Sequence, residues 1–284
     1  MKRIFTLCIA LCTLMTGFAQ NDSTGKEKPD TIKIGGMVII REKGSQPDDD
    51  KEGKNNKRIH ISTRRNSSKP SNISTNWWIV DLGFSNYTDN TNPNSAAAQS
   101  FAGDAYAENE DWAKLRAGKS RNVNLWFFMQ RLNVIKHAVN LKYGVGLELN
   151  NYFYDDTKVK FAKNPTMITL DQDLSGAKKN KLAADYLTVP MMVNFNFTPK
   201  RKKGFGFSAG VSAGYLYSAR QKTKKNGHID KTKSDFDLER WKLSYVGELL
   251  LGPVKLYGSY AFKNMWEKGL DQTPYTVGFR ISSW

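Results

Sequence analysis

From Trp77 to the C-terminus the chain alternates apolar and polar residues in eight long runs, and this period of two is what most constrains its fold. The clearest run places Val139, Leu141, Tyr143, Val145, Leu147 and Leu149 against Asn140, Lys142, Gly144, Gly146, Glu148 and Asn150. The others cover 77–84, 122–130, 186–197, 205–217, 241–251, 254–262 and 275–282. In the second run Val123, Leu125, Phe127 and Met129 share the apolar side, with Trp126 and Phe128 opposite. Such alternation gives each strand one apolar and one polar face.

A soluble sandwich would also alternate, so three further features decide. Several runs pass ten residues, where soluble strands usually have five or six and a tilted bilayer-crossing strand needs about nine to eleven. The links alternate long (85–121, 151–185, 218–240, 263–274) with short (131–137, 198–204, 252–253). Outer-membrane barrels have this arrangement, with long external loops and tight periplasmic turns. The polar face is rich in Gly, Ser, Thr and Asn and carries Asp81, Lys142, Glu148, Glu248, Lys255 and Arg280. An eight-stranded barrel is narrow enough for side chains to fill it, and buried charges must be paired. Three acids against three bases therefore predict a filled interior. Lys242 falls on the same face near a strand end, where the reading lets it reach solvent. Tyr152, Phe153, Tyr154, Tyr215, Tyr217, Trp241 and Trp266 sit at strand ends like an interfacial girdle. Counting back from the terminal Trp284 by twos meets the polar face, so the last strand's register calls for a bulge or a turn around the rim. The expected fold is all-β: an eight-stranded antiparallel up-and-down transmembrane β-barrel over 76–284.

The N-terminal end fits export. Met1-Lys2-Arg3, an apolar stretch from Ile4 to Phe18 and the exit Gly17-Phe18-Ala19 read as a signal peptide over 1–19, cut before Gln20. Both cysteines, Cys8 and Cys12, lie inside it, which excludes disulfides and thiolate chemistry from the mature chain. Residues 20–75 are rich in Lys, Asp, Asn, Ser and Gly and read as a mostly disordered periplasmic tail. Two islands of β character interrupt it, 31–40 and 58–61, which would pair with each other or dock on a partner.

The chain holds 43 Lys+Arg against 27 Asp+Glu, a net charge of +16. For an exported chain the nearer anions are lipid headgroups and lipopolysaccharide, not nucleic acid. The basic runs of the external loops, Lys178, Lys179, Lys181 and Arg220, Lys222, Lys224, Lys225, are candidate contacts for anionic lipid, with a solubilising role as the alternative. Residues 21–75, including Arg58, Arg64 and Arg65, are a candidate surface for a periplasmic or envelope protein. The acidic stretches around Asp104, Glu108, Glu110 and Asp111 and at Asp155-Asp156 lack a calcium-loop spacing and read as solvated or as partners of nearby lysines. Of the histidines, His60 lies in the tail, His137 at a short turn, and His228 in a long loop near Asp230 and Ser234, without an arrangement that makes a catalytic site. No cofactor or metal is expected.

Tyr186-Leu187-Thr188-Val189-Pro190, opening an apolar-alternating run, resembles the PorT-like outer-membrane β-barrel proteins of Bacteroidota. Asp30-Thr31-Ile32-Lys33-Ile34-Gly35 is similar to tails of that group, and the Gly/Ser alternation from Gly206 to Tyr217 to its strands. The resemblance implies an eight-stranded barrel, in a family with one secretion-system component. The basic turn at Lys200-Arg201-Lys202-Lys203 and the long tail depart from it. The leading expectation is a non-enzymatic barrel that anchors in the membrane and binds through loops and tail. A secretion or envelope-assembly subunit is the alternative, followed by a narrow channel and a surface hydrolase.

Overall fold

The computed structural model describes residues 31–34, 37–40, 71–199 and 204–282, which fall into two units, 1–69 and 70–284. The signal peptide, His60, the island at 58–61, the arginines of the tail, Lys200–Lys203 and Trp284 lie outside the described residues.

In the first unit, β1 (Thr31–Ile34) and β2 (Met37–Ile40) form an antiparallel hairpin, pairing Thr31 with Ile40 and Ile34 with Met37. The two halves of the first island thus pair with each other.

In the second unit the eight runs become β3 (Ile73–Asp89), β4 (Arg121–Ile135), β5 (Val139–Phe153), β8 (Lys179–Asn196), β9 (Phe205–Lys225), β11 (Trp241–Leu251), β12 (Val254–Ala261) and β13 (Gln272–Ile281). Each pairs antiparallel with the next, β8 pairs with β9, and β13 returns to β3, so the ring closes. Closure leaves no bare sheet edge within the ring. The expected up-and-down order of eight strands is the order observed. β3 starts at Ile73, opposite Leu132, three residues before the boundary expected at 76.

The polar face of the alternation lines the inside, and large apolar residues stand half-exposed outside, with Val277 54 %, Phe279 59 % and Ile281 62 % accessible. This inverts the usual soluble arrangement. Inside, Gly146 lies where a Cβ would meet Trp126 Cε3 at 2.7 Å, so the missing side chain makes room for the indole. Pro190 has no N–H to give, and the pairing of β5 with β8 passes from Tyr143–Met191 to Gly146–Thr188 there.

One expected face is corrected. β4 carries a bulge between Trp126 and Phe128 relative to β5. An extra residue shifts parity, so one slip sends later side chains to the opposite face. Met129 therefore turns inward, fully buried, while Phe127 and Phe128 both stay partly accessible outside. They meet Trp78 and Trp77 with ring centroids 6.0 and 5.8 Å apart.

The long links are folded rather than loose. The first contains α1 (Ala96–Glu108), started by Ser95, whose side chain accepts a hydrogen bond from the Ala98 N–H at 3.2 Å. The second contains the hairpin β6 (Val159–Phe161) and β7 (Ile168–Leu170), and the third contains β10 (His228–Lys233), which pairs antiparallel with the end of β9. Phe101, Trp112, Phe161, Phe236, Leu238 and Trp266 join Tyr152, Tyr154 and Tyr186 in one hydrophobic core at this end of the ring. Trp266 stands 5.4 Å from Phe101 and 6.0 Å from Phe161. Tyr152, Tyr154 and Trp266, expected in an outer girdle, are instead buried in this cap, because the folded links supply apolar partners for them. Tyr215, Tyr217 and Trp241 do stand outside.

Candidate functional site: the charged lumen and the basic outer face

Two clusters of charge stand out, one inside the ring and one outside it. Inside, Asp81 is fully buried and receives Arg280 through two bonds, Nε at 2.6 Å and Nη2 at 2.7 Å. Trp126 Nε1 donates to the same carboxylate at 2.7 Å and Asn124 at 3.2 Å. The register explains the meeting, since Arg280 of β13 lies directly opposite Asp81 of β3. Arg280 also reaches Glu248, which pairs in turn with Lys142 and accepts from Ser208 at 3.2 Å. Lys242 pairs with Glu148, which accepts from Asn150 at 3.0 Å. Asn122 donates to Asn124 and Asn150 at 3.0 and 2.8 Å and accepts a hydrogen bond from the Tyr257 hydroxyl. The result is one continuous hydrogen-bonded chain: Lys142, Glu248, Arg280, Asp81, Asn124, Asn122, Asn150, Glu148, Lys242.

Of the six residues expected in an interior network, the structure brings five together. Lys255 is not among them. It is half-buried and donates to Ser282, at 2.7 Å to both the carbonyl and the hydroxyl. Its place is taken by Lys242, which is 7 % accessible instead of reaching solvent. Lys242 is the second residue of its strand, but the folded links continue beyond that point, and the Tyr186 ring centre lies 5.5 Å from its ammonium. The inward parity of Lys242 was visible in the sequence. The cover above it was not.

The space left among Asn124, Trp126, Glu148, Met192, Glu248 and Arg280 amounts to about 30 Å³. A single water needs about 10–15 Å³ of such space, so this part of the interior holds a few waters at most. A larger hollow, about 940 Å³, lies at the paired Gly247 and Gly258, bordered by the outward Phe207, Tyr245 and Tyr260 and by the inward Ser208, Glu248 and Tyr257.

Outside, the expected basic residues divide by parity. β8 pairs with β9 as Lys179–Lys224, Lys181–Lys222 and Ala183–Arg220, and β9 pairs with β10 as Lys224–Ile229, Lys222–Lys231 and Arg220–Lys233. Directly opposed residues share a face. The other face carries Asn180, Leu182, Ala184 and Ala219, buried beneath the cap, so the cations point outward. Lys178 and Lys225 have the opposite parity and are not part of this row pattern; Lys225 donates to the Asp173 carbonyl. Lys231 and Lys233 join the face and were missed, because the link containing them was read as unstructured. Ile229, Lys231 and Lys233 at spacing two were the available signal.

The other candidates are placed as follows. Glu108 pairs with Lys158 at 2.7 Å and Asp155 with Arg116 at 3.0 Å, so these acids tie links together. The hydrogen bond from Lys160 to Asp171 in the same region lowers that carboxyl's pKa. Among the described residues no three His, Cys, Asp or Glu side chains cluster as a metal site would require. His137 occupies the turn between β4 and β5, and His228 stands exposed at the start of β10.

A closed antiparallel ring of eight strands, polar within and apolar without, defines the class of outer-membrane β-barrel proteins. Residues 78–263 match the family model described as outer membrane protein beta-barrel domain, and the chain belongs to that family. Membership supports an outer-membrane location. Comparison with curated proteins gives no match.

Proposed function

We propose that this chain spans the outer membrane as a closed barrel and serves there as an anchor and binding scaffold, without catalysis and without conducting solute. The observation that carries the reading is the lumen: three buried acids and three buried bases paired in one chain, with about 30 Å³ of space among them. A conducting pore keeps an aqueous path, and the paired charges of Asp81, Glu148, Glu248, Lys142, Lys242 and Arg280 across the lumen argue against one here. The outward run Leu187–Phe195 of β8 is nine residues, the length a tilted strand needs to cross hydrocarbon. Cleavage before Gln20 would leave the tail and the short turns on the periplasmic side and the folded links outside. The PorT-like resemblance is compatible with this anchor role. Planar-bilayer recording of the refolded chain tests it: the expected trace has no steady ohmic step, and reproducible single-channel conductance would overturn the closed-lumen reading.

A subunit role in a secretion or envelope-assembly complex has one observation in its favour. The hairpin of β1 and β2 pairs with no third strand among the described residues, and open edges accept a partner strand. Cross-linking in cells, with and without residues 21–75, tests that role; identical adducts from both chains would remove it.

A further inference from the structure

We infer that the outward face of β8, β9 and β10 is a binding surface for the phosphate groups of anionic lipid in the outer leaflet, of the lipid A type. The inference rests on the barrel spanning the membrane as proposed above. Its first support is a charge pattern that the fold does not explain. Seven cations, Lys179, Lys181, Arg220, Lys222, Lys224, Lys231 and Lys233, stand on one face in three adjacent cross-strand rows. Like charges directly opposed across strands destabilise a sheet. Here Lys179 opposes Lys224, and Lys222 opposes both Lys181 and Lys231. Asp185 neutralises Arg220 alone, in the lowest row. Among the described residues no carboxylate forms an ion pair with the other six.

The second support is position. The same outward surface of β8 and β9 continues below as Leu187 with Tyr215, then Val189, Met191 and Val211. Ala183 and Arg220 lie four residues beyond Leu187 along β8, about 13 Å along a tilted strand. The cations therefore begin just past the apolar belt, at the level of headgroups, and lysine stems can lie along the surface while their ammonium groups meet phosphate. The third support is that the face is prepared rather than diffuse. Lys179 and Lys181 both lean over the Phe153 ring, 5.7 and 5.4 Å from its centre. Burial, then Lys179, Arg220 and Lys222, hold the Lys181 pKa down at about 8, a cost that an adjacent anion would relieve.

The test uses the full chain refolded in zwitterionic micelles, with fluorescent diphosphoryl lipid A as probe. One variant carries Lys181→Gln, Lys222→Gln, Lys224→Gln and Lys231→Gln. A charge-matched control carries Lys114→Gln, Lys119→Gln, Lys136→Gln and Lys163→Gln, outside the three strands of the face. At about 1 kcal/mol per cation, the first variant should bind at least tenfold more weakly, and the control should stay within about twofold. Dephosphorylated lipid A should bind the wild-type chain as weakly as the first variant binds the probe, and millimolar inorganic phosphate should not displace the probe. Equal losses in both variants, indifference to the lipid phosphates, or displacement by inorganic phosphate would each overturn the inference. Heat-modifiable gel mobility reports barrel formation separately, so its absence in the wild-type chain counts against the barrel reading, not against the lipid surface. If the fourfold variant loses that mobility, Lys222→Gln with Lys231→Gln carries the same comparison, expected near fivefold or more and overturned by a change under twofold.

Discussion

The lumen and the outer face of β8, β9 and β10 use the same residue types on the same sheet, yet their charges are arranged in opposite ways. Inside, Arg280, Lys142 and Lys242 each rest on a carboxylate. Outside, Lys222 stands between Lys181 and Lys231. The difference follows from what each environment tolerates. A buried ion without its partner costs several kcal/mol, so a filled barrel must balance its interior. Opposed cations in water cost a few tenths to about 1 kcal/mol, so a sheet can retain them when a ligand uses them. Paired charge here is structure, and unpaired charge is available for binding.

The largest expected effect is in the lumen. Arg280→Ala removes two bonds from Asp81 and one from Glu248 and leaves the fully buried Asp81 without a cation. The expected loss is about 3–5 kcal/mol, read from urea unfolding in micelles by the fraction of heat-modifiable protein. Arg280→Lys keeps the charge but not the planar fork, and should recover part of the loss. A loss under about 1 kcal/mol for Arg280→Ala would mean that water reaches Asp81, and the contrast with the outer face would fail.

The opposite sign is expected outside. Lys222→Gln with Lys231→Gln removes opposed like charges from the face and should stabilise the barrel by about 0.5 kcal/mol in the same titration. The same pair should weaken lipid A binding, so stability and affinity should move in opposite directions. Destabilisation beyond about 1 kcal/mol would show that these lysines support the sheet itself.

Much of this contrast was legible in the sequence, and the exceptions have physical causes. Asp81, Lys142, Glu148, Glu248 and Arg280 follow from parity alone, because period-2 strands in a closed ring leave one inward face. Met129 and Phe128 did not follow, since a bulge changes parity without marking the sequence. Lys242 was placed on the correct face but in the wrong environment. Its burial comes from Tyr186 and the cap, whose residues lie in links that have no strand periodicity. Trp112, Phe161 and Phe236 were unremarkable there for the same reason. One part of the cap did announce itself: Ser95 ahead of Ala96-Ala97-Ala98 is a helix cap before a helix-forming run, although a long link between barrel strands was read as a loop.

The smallest expected effect is a pH dependence confined to the outer face. Burial first, then the like charges of Lys179, Arg220 and Lys222, lower the Lys181 pKa to about 8, while Asp185 acts in the other direction. The folded value lies below the ordinary value of 10.5, so between these two pH values the unfolded chain holds more protons than the folded one. Folding of the lipid-free chain should therefore gain stability as pH rises through that window. Lipid binding should move the other way, because deprotonation removes one cation from the phosphate surface. Between pH 7 and pH 9 the affinity for diphosphoryl lipid A should fall about threefold, somewhat less than the contribution of one full charge. Lys181→Gln should flatten that step while leaving the weaker binding of the remaining cations in place. A fall of the same size in the Lys181→Gln chain would assign the titration to another group, and the face would then lack the shared repulsion that distinguishes it from the paired charges of the lumen.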